Sequence, residues 1–190
     1  MNILYLGSPN AKISEDILRR DSLTCYKEKV FEDSDILQGK DFVISFGFRF
    51  VLPPSIIRRF PNKIINLHIS HLPWNRGADP NLWSFLEMTP SGVSIHQMDD
   101  GIDTGPILCR REILHDADKD TLQSSYHRLI REMEDLFVSQ WENIRKAEVS
   151  PHKQTEAGSY HARADKNPFL PLLTEGWNTP IRNVMGVALK

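Results

Sequence analysis

Two cysteines, Cys25 and Cys109, are all that the chain contains. They are too few for a disulfide framework and form no C-x-x-C pair, so a stapled scaffold and a dithiol redox motif are excluded, and both read as small core residues. A basic surplus is missing as well: 23 Lys and Arg against 25 Asp and Glu leave a formal net charge of -2. Without a cationic footprint for phosphate backbones, no nucleic acid partner is expected. No stretch approaches the roughly 18 apolar residues that span a bilayer, so no membrane partner is expected either. Met1–Gly7 lacks the basic start and cleavage site of a secretory signal, which points to a cytoplasmic protein. A glycine-rich phosphate loop is also absent. Gly7-Ser8-Pro9 stands where one would follow the first strand, so no dinucleotide is implied.

What is present is an ordinary globular composition, 40% hydrophobic and 25% charged over 190 residues, enough for one complete domain. Strands are expected at 2–7, 23–26, 41–47, 63–68, 92–98 and 106–113. Asp41-Phe42-Val43-Ile44-Ser45-Phe46-Gly47 is a nearly continuous apolar run of the kind buried on both faces of a parallel sheet. Short helices are expected from Ser14 to Arg20, after Pro53-Pro54 and near Asn81–Glu87. A long one, Asp118–Lys146, carries Leu122, Leu129, Met133, Leu136, Phe137 and Trp141 at helical spacing, with Asp120 and Thr121 at its start. These elements predict an α/β fold, compact and Rossmann-like, with a mostly parallel central sheet flanked by helices. Residues 1–150 are expected to form the main domain, and 151–190 a C-terminal extension packing on it. Apolar residues left exposed on the long helix would offer a homodimer face.

Chemistry concentrates in Asn66-Leu67-His68-Ile69-Ser70-His71-Leu72-Pro73-Trp74-Asn75-Arg76-Gly77 and, further on, His96-Gln97-Met98-Asp99-Asp100-Gly101-Ile102-Asp103-Thr104-Gly105. Side chains alternate along a strand, so Asn66 and His68 share one face while Leu67 packs into the other. The run turns polar at its end, which marks the carboxyl end of a strand, where open α/β sheets place ligands. An isolated Asn-x-His pair could equally satisfy local backbone groups. His68, His71 and His96 with Asp99 or Asp103 could also suggest a metal centre, but His-x-x-His suits a helix, and Pro73 and the strand-like run before it disfavour one.

Taken together, the two segments resemble the signature of the folate-dependent formyltransferases, which include glycinamide ribonucleotide, methionyl-tRNA and sugar-nucleotide N-formyltransferases. The family pattern Asn-x-His-x-Ser-x-Leu-Pro, then Arg/Lys-Gly, then Asp-x-Gly reads here as Asn66 to Pro73, Arg76-Gly77 and Asp103-Thr104-Gly105. The resemblance implies that Asn66, His68 and Asp103 are catalytic, that 10-formyltetrahydrofolate is the formyl donor, and that no metal is used. The chemistry fits those residue types. A neutral amide can donate to the oxygen that gains charge as an amine attacks the formyl carbon. An imidazole can carry the amine proton to the departing nitrogen, and a carboxylate can orient the ring.

By the same resemblance Phe48, Arg49, Phe50, Val51 and Leu52 surround the pterin of the cofactor, and the turn of Met98, Asp99, Asp100 and Gly101 closes its other edge. Trp74, Arg76 and Gly77 are the candidates for binding the acceptor. The early position of Asn66, the mild acidity and the absence of room for a tRNA-binding barrel point to a small acceptor. Among short members the chain is similar both to enzymes acting on nucleotide-linked amino sugars of surface polysaccharides and to the formylation domain of a peptide synthetase. A free-standing chain favours the former, which makes a UDP-4-amino-4,6-dideoxy-N-acetyl hexosamine of the pseudaminic acid type the expected partner, with formylation of an aminoacyl group, or folate or nucleotide-sugar binding without catalysis, as the alternatives.

Overall fold

Short apolar runs rich in β-branched residues become strands that are buried on both faces, and the side-chain alternation of each run divides its residues between two cores. The computed structural model describes residues 1–189. Its strands are β1 (Asn2–Leu6), β2 (Ser22–Tyr26), β3 (Phe42–Phe46), β4 (Ile64–His68), β5 (Arg76–Gly77), β6 (Gly92–Gln97), β7 (Ile107–Glu112) and β8 (Tyr160–His161). Six of them form one sheet in the order β2-β1-β3-β4-β6-β7, and β5 pairs with β8 in a small parallel ladder. The first four strands run parallel, whereas β6 lies antiparallel to β4 and to β7.

Ile3, Tyr5, Ile44, Ile65 and Leu67 face a core covered by the long helix α4 (Leu122–Arg145), and Leu4, Leu6, Val43 and Ile64 face a second core with Ile56 and Ile57 of the short helix α2 (Pro54–Arg58). From α4, Leu129, Met133, Leu136, Phe137 and Trp141 enter the first core, each stabilising it by roughly 1.5–3 kcal/mol through burial. Trp141 stacks on Phe137 and meets Phe42 edge-on, both at 5.2 Å, geometries that add further to burial. Helix α3 (Pro80–Leu86) packs Leu82, Trp83, Phe85 and Leu86 against Leu122, Ile181 and Val184. Residues beyond 150 return to the sheet end: His152 bridges Ile107, Tyr160–His161 joins β5, and Pro180 bridges Thr121.

Two boundaries follow from caps. Helix α1 (Ala11–Leu18) begins ahead of the expected Ser14 because the Asn10 side chain accepts the Ile13 N–H at 3.1 Å. Helix α4 begins after Thr121, as expected, closed by a reciprocal cap in which Thr121 and Ser124 each accept the other's backbone N–H. One expectation is corrected. Cys25 is exposed, because β2 is the edge strand of the sheet. Cys109 is half-buried, and burial pushes its thiol up to about 12, so it remains protonated. Among the described residues, no helix is long and apolar enough to cross a membrane.

Candidate active site

The sheet changes direction beside β4, and its polar residues lie on the side opposite Leu67. Antiparallel register places His96 directly across from Asn66 and Ser94 across from His68. Asp103 comes from the turn between β6 and β7 and completes a polar cluster. Its Oδ1 accepts from Asn66 Nδ2 at 3.0 Å and lies 3.3 Å from His96 Nε2, while Oδ2 accepts the Gly77 N–H at 2.9 Å and lies 3.6 Å from His68 Nδ1. The structure therefore brings Asn66, His68 and Asp103 together and adds His96.

Asp103 adopts a left-handed backbone with φ of 54°, a conformation unfavourable for a residue with a Cβ, so its surroundings must hold it. Two residues on, a Cβ at Gly105 would meet the Gln97 carbonyl oxygen at 1.9 Å, so only glycine permits this close return of the turn. Burial opposes ionisation of the Asp103 carboxyl, but His68, His96 and the Gly77 N–H outweigh it and hold the group well below the usual carboxylate range. It is a carboxylate at any ordinary pH.

His68 is buried, and its Nε2 lies 3.0 Å from the carbonyl oxygen of Asn75. A carbonyl can only accept, so Nε2 carries the hydrogen, and in the neutral ring Nδ1 is the free base facing Asp103. Asn75 is itself buried with φ of 55° and is fixed on three sides: its N–H donates to Ser159 Oγ at 2.9 Å, its Nδ2 donates to Thr89 Oγ1 at 2.8 Å, and its Oδ1 accepts from Ser159 Oγ at 3.2 Å. His96 Nδ1 donates to the Gln97 carbonyl at 2.8 Å, and its Nε2 lies 3.3 Å from both Asn66 Nδ2 and Asp103 Oδ1, accepting from the amide when the ring is neutral and donating to the carboxylate when the ring is protonated. A carboxylate oxygen beside Asn66 settles the orientation of its amide, nitrogen inward.

The other candidate residues take distinct positions. Phe48 and Phe50 pack edge to face at 5.4 Å, Val51 and Arg49 are exposed, and the Leu52 side chain is buried in the second core, so only its backbone can reach a ligand. Met98 packs on that same core. Together with Asp99, Asp100 and Gly101 it edges a groove of about 570 Å³ whose other wall is Ile57, Arg58 and Phe60. The turn is braced internally, Asp99 Oδ1 accepting from the Gly101 N–H and the Thr104 hydroxyl. Trp74 is half-buried. The Arg76 guanidinium gives Nε and Nη2 hydrogens to Gln154 Oε1 at 3.0 and 2.9 Å, so part of its donor edge is already committed. His96 and Asn75 lie in the two segments singled out from the sequence but had no part in the expected formyl-transfer site, and Ser159 and Gln154 were missed altogether. For His96 a signal existed, since Ser94 and His96 are polar residues alternating on an otherwise apolar strand; for the other three, contacts remote in sequence were needed.

Comparison with known proteins bears on this geometry. The formyl transferase family pattern matches residues 9–140. Methionyl-tRNA formyltransferase of Thermodesulfovibrio yellowstonii is 29% identical over 86% of this chain and 53% of its own length. The dTDP-4-amino-4,6-dideoxyglucose formyltransferase of Mycobacterium bovis is 28% identical over 70% of this chain and 55% of its own. The chain thus spans about half the length of the curated relatives it matches. Among solved structures, the formyltransferase PseJ from Anoxybacillus kamchatkensis, in complex with UDP-4,6-dideoxy-4-formamido-L-AltNAc and tetrahydrofolate, superposes with a TM-score of 0.96. It is 44% identical, over 99% of this chain and 100% of that one.

Proposed function

This chain belongs to the formyl transferase family, and on that premise we propose that it transfers the formyl group of 10-formyltetrahydrofolate to the amine of a nucleotide-linked amino sugar, a UDP-4-amino-4,6-dideoxy-N-acetyl hexosamine. The observation that carries the reading is the convergence of Asn66, His68 and Asp103 at one strand end, in a chain that matches the sugar-formylating PseJ from end to end.

The residues present suit the donor. Exposed Phe50 and Val51 offer apolar contact to a flat heterocycle, and the braced Met98–Gly101 turn offers backbone groups at its edge. When bound, the formylfolate supplies an activated formyl carbon. Asn66, held by Asp103 and His96, directs its amide N–H toward the oxygen that gains charge as the amine attacks, sharing it with the Asp103 bond. His68 Nδ1 accepts the proton shed by the amine and returns it to the leaving nitrogen, so no net proton is gained or lost. Asp103 Oδ2, 3.6 Å from Nδ1, sets a negative charge beside the proton while the ring carries it. The Asn75 carbonyl fixes which ring nitrogen is the base. Trp74, Arg76 and Gly77 border the acceptor side.

Incubation with 10-formyltetrahydrofolate and a panel of UDP- and dTDP-linked amino sugars, read by product mass, tests the proposal. A gain of one formyl unit on the UDP-linked 4-amino sugar is the expected result. Formylation of a different class of amine with none on any sugar nucleotide would overturn the acceptor, and His68→Asn retaining wild-type turnover would overturn the mechanism.

A further inference from the structure

Gln154 lies far along the chain from the catalytic cluster, yet every hydrogen-bonding group of its side chain is used at the rim of that cluster. Its Nε2 donates to the backbone carbonyls of Asp103, at 2.9 Å, and Gly105, at 2.8 Å, and its Oε1 accepts from Nε and Nη2 of Arg76. Two donors and two acceptor lone pairs are all that a primary amide has. The segment carrying Gln154 is anchored, because His152 and Ile107 exchange backbone hydrogen bonds at 2.8 Å in both directions.

We infer that Gln154 is a positioning residue for the proposed reaction, fixing the Asp103 turn through two backbone carbonyls while orienting Arg76 from the same amide. Left-handed backbone at Asp103 needs external support, and neither its carboxylate contacts nor the Asp99 brace on Gly101 and Thr104 holds the carbonyls of Asp103 and Gly105. The Gln154 donors hold those two carbonyls, one on each side of Thr104. Its acceptor oxygen ties Arg76 and hence β5, whose Gly77 N–H holds Asp103 Oδ2. The amide therefore closes a loop of bonds running Asp103, Gly77, Arg76, Gln154 and back to Asp103. Displacing a reacting group by about 1 Å can cost about 10²-fold in rate.

This rests on the formyl-transfer reading, and two substitutions separate its parts. Gln154→Glu keeps an acceptor for Arg76 but has no hydrogen to give the two carbonyls; Gln154→Ala removes both functions. With the full-length protein, 10-formyltetrahydrofolate and the amino-sugar nucleotide, both variants should lose about 10- to 100-fold in kcat per folded molecule while the KM for the folate stays within about threefold. Only Gln154→Ala should also raise the acceptor KM. Wild-type kcat in Gln154→Glu would overturn the inference and leave Arg76 as the sole target; so would a loss explained entirely by the folded fraction. Imidazole NMR signals of His68 and His96 report where Asp103 sits without turnover. They should shift in both variants, and unchanged signals would overturn the inference even if wild type formylated no amine, an outcome that would refute the activity separately.

Discussion

Replacing Asp103 by asparagine keeps the shape of the cluster and removes its charge. The amide must put its NH2 at one of two places. Toward Oδ1 it meets the amide hydrogens of Asn66, 3.0 Å away; toward Oδ2 it meets the Gly77 N–H, 2.9 Å away. One donor then faces another in either rotamer. Each charge-assisted bond contributes about 1.5–3 kcal/mol, and relief from burying a carboxylate offsets part of that loss, so a net cost of about 1–3 kcal/mol is expected. For a chain of this length that lowers the melting midpoint by about 2–12 °C. Catalysis should suffer more: with no carboxylate beside Nδ1 to favour the protonated ring, kcat should fall by about 10²–10⁴-fold. The pH dependence gives a second check. Folding depresses the Asp103 pKa below the ordinary aspartate value of 3.8, so the carboxylate's stabilisation is fully present above that value and is lost as pH falls through the folded one. The stability gap between wild type and Asp103→Asn, measured by urea unfolding, should narrow as pH falls below about 4. A gap that widens in acid, or a kcat within about threefold of wild type, would refute this account of the cluster.

Two further substitutions probe the scaffold that aims these groups. Gly105→Ala must displace the Gln97 carbonyl or reshape the Asp103 turn, since its Cβ would lie 1.9 Å from that oxygen; a kcat loss of at least about 10-fold in steady-state assays is expected, and wild-type kcat would contradict the geometry. Thr121→Ala removes half of the reciprocal cap on α4, remote from the cluster. It should cost about 1 kcal/mol, a drop of about 2–4 °C in the melting midpoint by calorimetry, with kcat unchanged.

Local patterns made much of this protein legible from its residues. The short apolar runs at 2–7, 41–47 and 63–68, ending at glycine or turning polar, favour buried strands, and the spacing from Leu122 to Trp141 favours a helix with one apolar side, because burial of one helix face imposes a period of 3.6. Asn66 and His68 fell on one face by the alternation along a strand, and the joined motifs placed Asp103 with them. Contacts between distant segments were not legible. Whether β6 would pair parallel or antiparallel with β4 decided that His96 stands opposite Asn66, and pairing direction is set by the connection and the packing, not by strand composition. The two-residue strands β5 and β8 carry no periodic signal; they exist because the segment after 150 folds back. From that return came Ser159, which fixes Asn75 and so selects the basic nitrogen of His68, and Gln154, which bonds the Asp103 turn to Arg76. The sequence alone determined the types and one-strand neighbours of the proposed catalytic groups. Tertiary structure decided their tautomer, charge and aim, because those depend on hydrogen-bond partners supplied from residues remote in the chain.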